Sequence, residues 1–246
     1  MPLSDLSLVV PVYNEADNMP ALFEAVEKDI GTDAEILICY DFDEDNTLPA
    51  VRERMSKFPN LRLVKNQYGR GPLGAIKSGF SAGTKPAVIV VMADLSDDLS
   101  CVPQMLQLFQ QGCRVVAGSR YMKGGKQIGG PFVKKMLSRL AGASLHYLVR
   151  LGTRDATNSF RLYSKEYLQS VEIESDGGFE LGLELTVKAH LRGLKVGEVP
   201  CTWTDRVAGK SRFQLKKWLP KYMRWYWHAV RGSWFTPKHG KPTATS

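Results

Sequence analysis

The sequence predicts an α/β fold, a doubly wound and mostly parallel sheet with helices on both faces, followed by an amphipathic C-terminal helix. Three observations predict it. Short apolar, β-rich runs recur at 6–12, 35–40, 61–64, 87–92 and 114–118. Such runs suit strands buried on both faces of a parallel sheet. Helix-like segments separate them, and strand–helix alternation of this kind argues for double winding. Beyond residue 213 the spacing turns helical, with basic residues on one stripe and aromatic residues on another.

The elements follow in order. Leu6 to Val12 reads as the first strand, and Met19, Leu22, Phe23 and Val26 recur at helical spacing up to Gly31. Glu35 to Tyr40 is a second strand, an acidic loop spans Asp41 to Thr47, and a helix is expected over 48–57. Leu61 to Val64 is a third strand. Gly69 to Gly74 is a turn that opens a helix, because it matches neither GxGxxG nor a Walker A loop and Pro72 removes a donor. Ala87 to Met92 is a fourth strand, a helix runs to about Gln111, and Arg114 to Gly118 is a fifth strand. Further along, 131–150 reads as one amphipathic helix or two short ones. Residues 155–163 read as loop then strand, 180–191 as helix, and 196–203 as strand.

Composition excludes several classes. With 246 residues, 43% hydrophobic and 24% charged, the chain folds rather than staying disordered. No uninterrupted apolar stretch reaches the roughly 18 residues of a membrane span. The first residues lack a signal-peptide pattern. Cys39, Cys101, Cys113 and Cys201 are far apart and form no metal spacing, which suits reduced thiols in the cytoplasm. The net charge of +8 is unevenly placed. Residues 206–246 hold ten Lys/Arg and no acid, while residues 1–205 hold 23 Lys/Arg against 25 Asp/Glu.

Ligands of doubly wound sheets bind beyond the carboxyl ends of strands. Three polar clusters lie there: Tyr13-Asn14-Glu15, Asp41 to Asp45, and Asp94 to Asp98. The last can present carboxylates to Mg²⁺ or Mn²⁺, although Ser96-Asp97-Asp98 is equally a good helix cap. The basic loop from Asp205 to Arg212 suits phosphate binding, or else a solvated turn. Together they point to chemistry on a nucleoside diphosphate.

Val9-Val10-Pro11-Val12-Tyr13-Asn14-Glu15 resembles the opening strand of family 2 glycosyltransferases with the Rossmann-like GT-A fold. Val116 to Tyr121, Asp155 to Tyr163, Glu198-Val199-Pro200, Asp205-Arg206 and Ser211-Arg212 narrow the resemblance to the dolichol-phosphate mannosyltransferase-like branch. They occur in family order over about residues 6–213. The resemblance implies an inverting transfer of a hexose, mannose or glucose, from GDP-mannose or UDP-glucose to a polyprenyl or dolichyl phosphate. It places Pro11, Tyr13, Glu15 and Asp41 around the nucleoside. It makes Asp94 the second Asp of the DxD metal motif, completed by Asp97 (or Ser96 or Asp98) around Mg²⁺ or Mn²⁺. It makes Arg120 an active-site arginine, and sets Arg206 and Arg212 on the phosphates of donor and acceptor. The first Asp of DxD is replaced by Met92, and Tyr40 stands where the family often has another Asp.

The expected organisation is a GT-A domain over 1–212, a membrane-interface helix over 213–235 and a disordered tail over 236–246. In the helix, Lys217, Lys221, Arg224, His228 and Arg231 form the basic stripe, and Leu215, Trp218, Leu219, Tyr222, Tyr226 and Val230 the apolar one. Pro220 either kinks this helix or marks its start. A basic face opposite an aromatic one suits a helix lying at the headgroups, or a helix packed on the domain. The expected setting is therefore the cytoplasmic membrane face, with a separate membrane subunit as a possible partner and no nucleic acid. Two alternatives stand beside this reading: a transferase with a hydroxyl acceptor, using Asp97 or Asp98 as base, and a non-catalytic membrane-surface binding module.

Overall fold

The computed structural model describes residues 2–205 and 215–235. Its centre is a seven-stranded sheet. In chain order the strands are β1 (Leu6–Pro11), β2 (Glu35–Tyr40), β3 (Leu61–Lys65), β4 (Ala87–Val90), β5 (Val115–Ser119), β6 (Lys126–Ile128), β7 (Arg161–Ser164), β8 (Val196–Pro200) and β9 (Thr202–Thr204). The helices are α1 (Met19–Asp29), α2 (Thr47–Arg52), α3 (Pro72–Ala82), α4 (Val102–Gln110), α5 (Phe132–Val149), α6 (Lys165–Ser170), α7 (Leu181–Leu191) and α8 (Leu215–Phe235).

The strand order is β3-β2-β1-β4-β7-β5-β8, and β6 pairs with β9 in a separate ribbon. All pairings in the large sheet are parallel except those of β7, which runs antiparallel to both β4 and β5. Every residue of β1, β4, β5 and β7 is buried. That is why β1, β4 and β5 read as largely apolar runs rather than alternating ones, while β7 buries Arg161 and Ser164 beside Leu162 and Tyr163. One core layer packs α1 and α4 against the sheet through Leu22, Phe23, Val26 and Met105. The opposite layer packs α3 and α7 through Ala75, Ile76, Phe80 and Leu185.

The expected strands and helices occur close to their predicted bounds, except that one helix is shorter, the strand expected over 196–203 divides into β8 and β9, and β6 is unexpected. The helix expected over 48–57 stops at Arg52. The glycine-rich turn does open a helix: Pro72 takes its first position, and Gly71 precedes it at φ 113°, a conformation glycine adopts without strain. α5 is one continuous helix, and Pro220 lies inside α8 rather than at its start.

A third cluster joins α5, α7 and α8: Leu145, Val149, Leu183, Val187, Trp225, Ala229 and Val230. α8 is therefore seated on the domain, with Trp218 and Trp225 buried. Tyr222 and Tyr226 are half-buried, and their hydroxyls donate to Phe179 O at 2.6 Å and Ser144 Oγ at 3.0 Å.

Candidate active site

The parallel strands β1, β2 and β4 all end on one edge of the sheet, and the loops beyond them carry the polar clusters. Buried Asp45 fixes the first loop by accepting from the backbone N–H of Asn14 at 3.1 Å on both oxygens, and Thr47 Oγ1 accepts from Glu15 N at 2.9 Å. Asn14 takes φ 55°, which leaves Tyr13 on the surface with its ring edge-to-face on Phe42. Asp41 fixes the second loop, accepting from Asn66 Nδ2 at 2.6 Å and Gly71 N at 2.9 Å. It thereby ties the end of β2 to the turn that opens α3.

Beyond β4 the chain turns sharply at Leu95, whose φ of 55° costs an ordinary side chain strain. The turn lets Asp94 Oδ1 accept from both Ser96 N at 3.1 Å and Ser96 Oγ at 2.7 Å. Asp97 points inward, is 8% exposed, and accepts from Asn158 Nδ2 at 3.1 Å. Burial pushes its carboxyl up to about 7, against the opposing pull of the Asn158 hydrogen bond and the Arg120 charge. Asp98 caps the turn before α4 by accepting from Ser100 N at 3.0 Å.

Met92, Asp94, Ser96, Asp97 and Arg120 share one wall of a cavity of about 380 Å³. Its far side is formed by α5 and α8, with Lys134, Lys135 and Leu137 from the first and Leu219, Tyr222 and Met223 from the second. The cavity thus faces a polar wall at the sheet edge with a far side that mixes two lysines and apolar residues. Pro11, Tyr13, Glu15 and Asp41 do not line it and lie farther along the same edge of the sheet.

Arg120 is the most constrained group in this wall. Its backbone N–H and Nε donate to Asp155 Oδ2 at 3.0 and 2.7 Å, and Nη2 donates to Oδ1 at 2.8 Å. Nη2 also reaches Ser138 Oγ at 3.2 Å and Thr157 Oγ1 at 3.1 Å. Burial works against both charges. The Asp155 carboxylate nevertheless holds the guanidinium above its ordinary value, and the Arg120 charge holds Asp155 below its own. Ser138 belongs to α5, so that helix touches the locked arginine directly.

The residues present fit a hard divalent cation poorly. Such ions take oxygen ligands, and Met92 offers only a thioether. Among the described residues no group of three or more His, Cys, Asp or Glu is placed to hold a metal ion. Of the candidate site residues, Arg206 and Arg212 lie outside the described residues, as does the tail over 236–246. Reading by residue type left Lys134 and Lys135 as part of an amphipathic helix, and gave no role to Asp155 and Asn158. The signal for the latter two was the motif they sit in.

The outward side of α5 and α8 differs from the expected arrangement. The apolar stripe of α8 turns largely inward onto the domain, since Trp218 and Val230 are buried and Tyr222 and Tyr226 half-buried. Leu219 of that stripe stays exposed, together with Met223, Trp227 and Trp234 on α8 and Phe132, Val133, Met136, Leu137, Leu140 and Leu148 on α5. Two basic residues of the stripe are paired, Lys221 with Asp176 at 2.6 Å and Arg224 with Glu174 at 2.5 Å. Among the described residues no helix is long and apolar enough to cross a membrane.

The family model described as Glycosyl transferase family 2 matches residues 7–171. A dolichol-phosphate mannosyltransferase of Pyrococcus furiosus is 28% identical over 231 residues, which are 89% of this chain and 64% of that protein. This chain therefore spans just under two thirds of that relative's length. A polyprenol monophosphomannose synthase of Mycolicibacterium smegmatis is 28% identical over 92% of this chain and 87% of its own length. Among solved structures, glucosyl-3-phosphoglycerate synthase of Mycobacterium tuberculosis, in complex with Mn²⁺, UDP and phosphoglyceric acid, superposes with a TM-score of 0.64. It is 18% identical, with 96% of this chain and 80% of that one covered, so the likeness is one of fold.

Proposed function

The chain belongs to glycosyl transferase family 2, and from that premise we propose that it moves a hexose from a nucleoside-diphosphate sugar to a polyprenyl phosphate, with inversion, at the cytoplasmic face of a membrane. The cavity carries this reading. Its sheet-side wall presents Asp94 and Arg120, and its far side combines Lys134 and Lys135 with apolar residues of α5 and α8. A phosphate on a prenyl chain carries that same combination. The names of the two relatives support mannose as the sugar, for which the sequence resemblance implies GDP-mannose as the donor, while the UDP of the structural neighbour keeps glucose and UDP-glucose in view.

The chemistry follows from charge. A phosphate monoester with a second pKa of about 6 is already anionic at neutral pH and needs no strong base. Its oxygen attacks the anomeric carbon as the bond to the donor diphosphate breaks, and the electron pair leaves with the nucleoside diphosphate. The site must hold two anions in line and offset their repulsion. Arg120, fixed in direction by Asp155, and the lysines of α5 supply positive charge on this chain's own side chains. By family resemblance Arg206 and Arg212 add to it. Pro11, Tyr13, Glu15 and Asp41 surround the nucleoside at the ends of β1 and β2. The hydroxyl-acceptor reading needs a general base. Asp97 is turned into the protein towards Asn158, and Asp98 is used as a cap, which disfavours it.

The exposed apolar residues of α5 and α8 would seat in the headgroup region, where amphipathic helices bury one face. The test is incubation with labelled GDP-mannose or UDP-glucose and a short polyprenyl phosphate in vesicles. Label moving into the organic phase, and lost in Arg206→Ala with the fold intact, is expected. Label that stays aqueous with every nucleotide sugar overturns the reading.

A further inference from the structure

We propose that Trp203 and Gln127 form the subsite of the transferred hexose, with the indole against one face of the pyranose ring and the amide at its hydroxyls. This assignment rests on the transferase reading of the cavity and names the part of it that receives the sugar.

The indole is held firmly beside the turn that carries Asp94. Trp203 is the middle residue of β9, and it lines the cavity together with Asp94 and Arg120. One side of β9 pairs with β6. The other is fastened to the loop beyond β4: Asp97 bridges to Trp203, Asp98 N donates to Thr202 O at 3.1 Å, and Thr204 N donates to Ser96 O at 2.8 Å. The backbone beneath the indole is therefore fixed from both edges. A large aromatic side chain with only two rotatable bonds then loses little freedom when a ligand covers it.

Its neighbour is a planar amide. Gln127 stands opposite Trp203 in the register of β6 and β9, so the two side chains share one face of the ribbon. Both are half-buried, and both line the cavity. The Tyr121 hydroxyl donates to Gln127 Oε1 at 2.9 Å, which sets the direction of the amide. Gly130 makes room for the pair. A Cβ there would meet Gln127 Nε2 at 3.3 Å and Trp203 Cζ3 at 3.4 Å, and its φ of 78° would strain any other residue. The amide nitrogen and the edge of the indole thus flank the same small space.

The pair suits a sugar better than a prenyl chain. A pyranose carries C–H groups on its faces and hydroxyls around its rim. The negative face of an aromatic ring attracts such C–H groups, and an amide offers two donors and an acceptor to hydroxyls. A prenyl chain has no use for the amide, and the exposed apolar residues of α5 and α8 offer it a course without one. The nucleoside is assigned to Pro11, Tyr13, Glu15 and Asp41, none of which lines this cavity.

The test compares each nucleotide sugar with its own nucleotide. GDP-mannose against GDP, and UDP-glucose against UDP, are titrated into the full chain by calorimetry in Mg²⁺ without acceptor. The ratio of the two affinities measures what the hexose adds. Trp203→Leu keeps an apolar side chain but no flat face. It should lower that ratio about tenfold, the effect of about 1.4 kcal/mol, while the affinity for the nucleotide alone stays within about twofold. Trp203→Phe should keep most of the ratio, and Gln127→Leu should lower it. In turnover, KM for the donor should rise in Trp203→Leu and KM for the polyprenyl phosphate should not. Where Trp203→Leu does not fold, tryptophan emission decides: a change produced by the nucleotide sugar and not by the nucleotide should vanish in Trp203→Phe. Equal losses for nucleotide and nucleotide sugar, a rise confined to KM for the polyprenyl phosphate, or a sugar-dependent emission change that persists in Trp203→Phe overturns the proposal. So does a natural chain that binds nucleotide and nucleotide sugar equally well. If neither binds at all, the transferase reading itself fails and this proposal falls with it.

Discussion

Replacing Asp155 with Ala tests whether the cavity wall is an electrostatic lock. The Asp155 side chain is fully buried, and that of Arg120 is 10% exposed. The carboxylate receives three bonds from Arg120 and one from Asn158 N at 3.2 Å. Removing one partner of a buried pair leaves the other charge uncompensated and costs about 3–5 kcal/mol. In a chain of this size each kcal/mol lowers Tm by about 2–4 °C, which gives a drop of about 6–20 °C. Transfer should fall further than stability explains, because a misplacement of about 1 Å can cost about 100-fold in rate. Asp155→Asn, which keeps the shape and loses the charge, should lie between. The pH dependence has a definite sign. Asp155 is held below its ordinary value, so its stabilisation is present above the unfolded value and lost as pH falls through the folded one. The gap between natural chain and variant should therefore narrow below about pH 4. Thermal melts across pH and transfer assays at saturating donor measure both effects. A Tm within about 2 °C of the natural chain, less than one kcal/mol on the same scale, would refute the lock.

Three further outcomes follow from the same geometry. Burial raises Asp97 to about 7, so the folded chain keeps a proton that the unfolded chain releases, and stability should decline from about pH 4 to 7; Asp97→Asn should flatten that decline in urea titrations, and an unchanged slope would count against it. A Cβ on Gly142 would sit 2.0 Å from the backbone oxygen of Arg154, so Gly142→Ala must push α5 off the 154–156 loop, costing about 1–3 kcal/mol by chemical denaturation; a neutral variant would show that the approach is looser. Met136→Glu, Leu140→Glu or Trp227→Glu alters only exposed positions, so stability should move by less than about 0.5 kcal/mol while sedimentation with vesicles is lost; binding that persists in all three would remove α5 and α8 from the membrane contact.

The sheet was legible wherever burial alone writes the pattern. β1, β2 and β4 are mostly apolar because both faces are covered, and each lies within two residues of its expected bounds. β7 was legible as a strand, but its place between β4 and β5 was not, since an antiparallel insertion depends on partners far away in sequence. β6 is three residues with at most one half-buried, and nothing in Lys126-Gln127-Ile128 distinguishes it from loop. In the site, Asp94 and Arg120 were legible because their motifs are local. Asp155 acts through burial and through its two bonds to one guanidinium, which residue type does not reveal. Lys134 and Lys135 looked like the polar side of a helix, and only the placement of α5 across from β4 turns them towards the cavity.

The positive charge of the last sixth of the chain invites an electrostatic account of membrane contact, and the packing of α8 weakens that account. A basic residue near an anionic surface is worth about 1 kcal/mol when its charge is open to the lipid. Lys221 and Arg224 each already hold a carboxylate from the 174–176 loop, so their attraction for lipid is largely offset. The same packing turns Trp218 and Trp225 inward, removing two aromatic residues from the lipid side. What stays outside is an apolar surface shared by two helices, from Phe132 to Leu148 on α5 and from Leu219 to Trp234 on α8. An apolar contact weakens little with salt, whereas an attraction between exposed charges is screened within about 8 Å at physiological ionic strength. These same two helices line the cavity, and Ser138 ties one of them to Arg120 at 3.2 Å. Seating that surface in lipid would bring the cavity that both helices line close to the layer where a prenyl chain lies.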